Sequence, residues 1–140
     1  MTVARISLAL ALLFGGFAVA MSARMSNDPW GLSSLGFYAW LIAPYLMFFC
    51  AARFGRLPVL TKGALVLLIL CGAYGSLAYA DVNFHFWSKS DAQEALVFLV
   101  VPFSQFFYGV PLLGILAAIG AWLERRNQKG ADCSAPSSEQ

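Results

Sequence analysis

The chain has 140 residues, 60% of them hydrophobic and 11% charged, with a formal net charge of +2. Its mean hydropathy is +0.72. A soluble domain carries about 25% charged residues, so this composition excludes a water-soluble globule, a disordered chain and a basic nucleic-acid binder.

The apolar residues run in four long blocks: from about Val3 to Met21, Gly31 to Ala52, Thr61 to Ala80 and Ala95 to Leu123. A helix rises about 1.5 Å per residue, and a bilayer core of about 30 Å needs roughly 20 residues. Each block meets or approaches that length. Backbone polar groups cannot stay unpaired in lipid, so each block is expected to be a helix. Strands of a membrane barrel would alternate in polarity over about ten residues, and these blocks do not. The expected fold is an all-α, polytopic transmembrane four-helix bundle. Its spans cover about 3–21, 31–52, 61–80 and 95–123, the bundle occupies 1–126, and 127–140 form a disordered cytoplasmic tail.

Block one has a second reading. Arg5, an apolar stretch and then Ala18-Val19-Ala20 resemble a signal peptide with a small-residue cleavage site. Cleavage would leave three spans. A short outer link follows, with Asn27-Asp28-Pro29 as its turn. Block two contains Pro44 beside Tyr45. The inner link after it carries Phe54-Gly55-Arg56-Leu57-Pro58, again a turn. Links this short make successive helices antiparallel neighbours.

The second outer link, Asp81 to Glu94, is the longest polar stretch on its side. Asp81, His85, Asp91 and Glu94 in it are candidate outer-face contacts. The chain has one histidine, without the tight ligand spacing of a metal site, so no metal is expected. Ser90 and Gln93 instead form a capping box for the fourth helix. Asp91 and Glu94 then meet the positive end of its dipole.

Block four, from Ala95 to Leu123, would be about 43 Å long if straight. Pro102 and Pro111 interrupt its hydrogen-bond ladder and free carbonyls near Phe98 and Phe107. Ser104, Gln105 and Tyr108 lie between the two prolines. Gln105 cannot face lipid cheaply, so it should face a helix or a water-filled cavity. Gln105, Ser104, Tyr108 and Tyr45 are therefore the candidate intramembrane polar contacts. They serve either as glue between helices or as the lining of a solute path, and glue is the simpler reading. Small residues also recur at four-residue spacing: Ala11 with Gly15, Gly16 with Ala20, Gly72 with Ser76 and Ala80, Gly114 with Ala118. These permit close helix approach, within one bundle or between subunits of a homo-oligomer.

Positive charge sets the orientation. Arg5, Arg53, Arg56, Lys62, Arg125, Arg126 and Lys129 fall on one side, leaving only Arg24 and Lys89 of the nine Lys+Arg on the other. Both termini are then cytoplasmic. Cys50 and Cys71 lie within spans and Cys133 in the tail, with no Cys-x-x-Cys, so a thiol oxidoreductase is disfavoured. No phosphate loop, zinc motif or nucleophile elbow appears. Neither an enzyme nor a cofactor is expected.

In size and build the chain resembles the small polytopic inner-membrane immunity proteins that protect bacteria from membrane-acting toxins. The resemblance rests on architecture: a compact bundle without coupling charges or catalytic residues. It implies a non-enzymatic protein that neutralises a pore-forming toxin by helix–helix contact, with membrane lipid and a protein toxin as partners and no nucleic acid. The alternatives are a subunit of a small-solute or ion transporter or channel, and an accessory subunit of a membrane complex.

Overall fold

The computed structural model describes residues 2–25, 31–84 and 94–132. They form four helices: α1 (Thr2–Met25), α2 (Leu32–Phe54), α3 (Pro58–Phe84) and α4 (Glu94–Asp132). Each contains a stretch long and apolar enough to cross a bilayer. The chain is a multi-pass membrane protein with an all-α, four-helix fold.

The helices outrun the apolar blocks because polar residues extend them beyond the hydrocarbon. Pro58 opens α3, where its locked φ suits a first turn and its missing N–H is not needed. The Thr61 N–H already donates to the Leu57 carbonyl at 3.0 Å. At its other end α3 continues through Asp81 to Phe84, and Asn83 Nδ2 donates back to the Tyr79 carbonyl at 3.0 Å. Asp81, expected at the end of the third helix where the outer link begins, sits in the last turn of α3. Likewise α4 continues from Asn127 to Asp132, which the sequence reading assigned to the disordered tail. The run Glu124 to Lys129 contains several good helix formers, and they propagate the helix past the membrane. With 39 residues, α4 is about 58 Å long and must overhang a core of about 30 Å.

Helices α1, α2 and α3 each pack against the other two, while α4 lies mainly on α3, less on α2, and scarcely reaches α1. In their most apolar stretches, 28%, 33% and 28% of the residues of α1, α2 and α3 are buried, against 11% for α4. The fourth helix is thus a peripheral strut on a three-helix core. Leu41, Tyr45, Phe48, Leu68 and Tyr79 fill that core and are fully buried. Ala18 is also fully buried, so the first block is an integral wall of this bundle. The Tyr79 and Phe98 rings stack at 4.9 Å and 5° and fasten α4 to α3. Leu12, Leu13, Leu77, Phe103 and Phe107 are exposed around the outside. Such a surface is unsustainable in water and suited to lipid.

Arginines mark the two interfaces. Arg24 lies over the Phe84 ring at 5.4 Å, joining the ends of α1 and α3. At the opposite end Arg53 lies over Phe54 at 5.4 Å and Arg126 over Trp122 at 5.5 Å. Each pairs a charge with an aromatic face at headgroup depth.

The small-residue pairs divide into two groups. Ala11 and Gly15 are buried, with Gly15 against Ile42 and Tyr45, and Gly72 lies directly beneath the Phe14 ring. Gly16 and Gly114 face open space. Both groups match one spacing in sequence, yet only the first builds the bundle. Gly72→Leu should therefore wedge α1 from α3 and destabilise the protein by about 1–3 kcal/mol. Gly16→Leu should change stability by less than about 0.5 kcal/mol. Thermal melting of both variants in the same detergent checks the pair, and similar losses from both would refute this division.

Candidate functional site

The polar centre of the bundle lies where α2, α3 and α4 meet. Gln105 on α4 is 3% exposed. Its Nε2 donates to the Cys71 carbonyl of α3 at 2.8 Å. The same nitrogen makes a long contact of 3.5 Å with the hydroxyl of Tyr45 on α2. The Cys71 carbonyl fixes the orientation of the amide, since reversing it would set two oxygens against each other. Gln105 thereby ties three helices together at mid-span.

This contact requires the glycine at position 75. A β-carbon there would sit 2.6 Å from the Tyr45 hydroxyl and 2.9 Å from Gln105 Nε2. Cys71, Gly75 and Tyr79 are spaced one turn apart on one face of α3, so the helix supplies in sequence an acceptor, a gap and an aromatic plug. Proline has a related role. Pro102 is fully buried one turn before Gln105, and its ring cannot donate to the carbonyl of Phe98. The Ser104 hydroxyl donates to the Val101 carbonyl at 2.8 Å, so this turn carries a side-chain bond of its own.

The sequence-derived contacts are therefore not equivalent. Tyr45 and Gln105 meet. Ser104 is satisfied within its own helix. Tyr108 is 65% exposed and stands edge-on to Phe107, with centroids 5.3 Å apart at 88°. Gln105, Ser104 and Tyr108 nevertheless share one feature. With Leu70, Cys71 and Tyr74 they line a cavity of ≈ 230 Å³ between α3 and α4. Gln105 Oε1 is buried and accepts no hydrogen bond.

Three residues here were not singled out from sequence: Cys71 through its carbonyl, Tyr74 and Gly75. A main-chain acceptor leaves no side-chain signal. Gly75 stood beside the recognised stripe Gly72, Ser76 and Ala80 but outside its spacing. The buried Tyr38 hydroxyl, Trp40 Nε1 and Tyr79 hydroxyl also have no hydrogen-bond partner among the described residues.

Of the four candidate outer-face contacts, Asp81 is half-buried in α3. Glu94 is the first residue of α4, and its side chain lies outside the described residues. His85 and Asp91 also lie outside them, as does the Ser90–Gln93 capping box. Among the described residues, no three of His, Cys, Asp and Glu gather as metal ligands would. No family model, curated protein or solved structure matches this chain.

The geometry sets a double-mutant cycle. Gln105→Leu and Tyr45→Phe should each destabilise the bundle. Their coupling should be about 0.6 kcal/mol and no more than about 1.7, the range for interhelical hydrogen bonds in membranes. Gly75→Ala should cost about 1–3 kcal/mol by overpacking, and Tyr45→Phe should relieve part of that loss by removing the atom in closest conflict. Unfolding titrations in mixed micelles measure all of these. Strict additivity of Gly75→Ala and Tyr45→Phe would mean that the two residues do not touch.

Proposed function

We propose that this chain is a non-enzymatic bacterial inner-membrane protein that works by capturing a transmembrane helix of a partner. In its most specific form the reading is an immunity protein against a pore-forming toxin. The observation that carries it is the cleft between α3 and α4. Gln105 lines this cleft, and its buried amide oxygen has no hydrogen-bond donor among the described residues. Unsatisfied polar groups are costly in lipid, and an entering helix with a Ser, Thr or Asn side chain would satisfy Gln105 Oε1. The sparse burial of α4 supports the same reading, because its outward face, including Gly114, is free to receive a second helix. A toxin helix held there would be withheld from its own assembly.

The seven-to-two division of Lys and Arg supports a cytoplasmic location for both termini. The region from Asp81 to Glu94 then faces the periplasm, from which such a toxin arrives, and Asp81, His85, Asp91 and Glu94 make the first contact. A reporter active only in the periplasm should be silent when fused after residue 132 and active when inserted near residue 87. The opposite pattern would invert this orientation.

Function is tested by challenge. A strain lacking the gene, grown in contact with its parent, should lose membrane potential while the parent does not. Wild-type protein supplied in trans should restore protection. Gln105→Leu, produced at the same level, should protect less well. Equal potential in the deletion strain and the parent would remove the immunity reading, and liposome flux would then test the alternative of a transporter subunit.

A further inference from the structure

A second concave site lies nearer the membrane interface, where α1 begins and α2 ends. It is a cavity of ≈ 500 Å³ lined by Arg5 and Leu8 of α1, Phe49 and Arg53 of α2, and Gly55 and Thr61 of the following link and α3. We propose that this cavity is a specific site for the phosphate headgroup of an anionic phospholipid.

Three observations carry the assignment. The first is charge. Arg5 and Arg53 come from different helices and line one cavity, and neither is joined to a carboxylate among the described residues. Two arginines that line one concavity make it attractive to an anion, and their planar donor forks suit phosphate oxygens. The second is polarity along the membrane normal. α1 enters the bilayer from Arg5 toward Leu8, while α2 leaves it from Phe49 toward Arg53. Both arginines therefore sit at the outer rim, and both apolar side chains lie about one turn deeper. A phospholipid has the same order, charge first and acyl chain below, whereas a free anion would make no use of Leu8 or Phe49.

The third is a rigid wall. The Thr61 hydroxyl donates to the Gly55 carbonyl at 3.2 Å. The Gly55 N–H donates to the Ala51 carbonyl at 3.0 Å. A β-carbon at position 55 would sit 2.5 Å from that same carbonyl. These bonds use up the wall's own donors. Recognition of the anion is left to the two guanidiniums.

The test uses the full chain purified in mild detergent and examined by native mass spectrometry with phosphatidylglycerol or phosphatidylcholine. One phosphatidylglycerol per chain should be retained in preference to phosphatidylcholine. The double variant Arg5→Gln/Arg53→Gln should lower that retention by about tenfold or more, on the scale of a lost charge-assisted bond. Arg125→Gln/Arg126→Gln changes the charge equally on the overhang of α4 and should leave retention unchanged. Equal losses in the two double variants would overturn the site in favour of diffuse attraction. Displacement of the lipid by millimolar inorganic phosphate would overturn the lipid assignment in favour of a soluble anion. Melting of the wild-type protein asks the same question without any variant. Phosphatidylglycerol should raise the midpoint relative to phosphatidylcholine and saturate as a single site does, and a rise that never saturates would refute the proposal.

Discussion

Inside a bilayer an apolar helix gains nothing by hiding from its surroundings, so association depends on close contact and on the few polar groups that lipid cannot satisfy. Here both demands meet at one place on α3. Gly75 leaves the space into which the Tyr45 hydroxyl and the Gln105 amide advance, and the Cys71 carbonyl receives the amide. One turn away the same face lets Phe14 settle over Gly72. The register of α1, α2 and α4 is thus read against a single helix. Its inward residues Ala64, Leu68, Gly72, Gly75, Tyr79 and Val82 mix small and bulky shapes. Enlarging a small one pushes a neighbour away, and truncating a bulky one leaves a gap that lipid cannot enter.

The division of labour among the helices follows. Three of them form a closed triad, and the fourth is fastened along part of its length by a ring stack and an amide. Further contacts, Trp40 with Phe106 and Leu57 with Gly120, follow it along the bundle, yet it is the least buried of the four helices. The other end of the molecule has a different chemistry. There the arginines gather where α1 enters and α2 leaves, and the surface is prepared for charge instead of for another helix. The two sites differ in depth and polarity, and α3 contributes to both.

Much of this architecture was legible in the sequence because bilayer thickness converts directly into residue count. Four blocks gave four helices, and Gln105, the only amide within the four apolar blocks, is placed inside by its polarity alone. The inward faces were not legible. Amphipathic helices reveal their buried side by contrast with polar residues, and a lipid-facing leucine offers no contrast with a buried one. Gly16 and Gly72 look alike in the sequence, yet one faces open space and the other lies under a ring. The helix ends are less legible. Pro58 and Lys129 lie beyond the apolar blocks, where hydropathy stops reporting but the backbone ladder does not.

The peripheral seat of α4 has a consequence for how the molecule is made. A ribosome delivers α1, α2 and α3 first, and each of these already has the other two as packing partners. The triad can close in the bilayer while the last helix is still being synthesised, with the Cys71 carbonyl held ready beside the gap at Gly75. Insertion of the final segment then resembles a key entering a finished lock. Until it arrives, the Tyr45 hydroxyl has no amide beside it and the nascent chain presents an open polar seam to whatever helix is nearby.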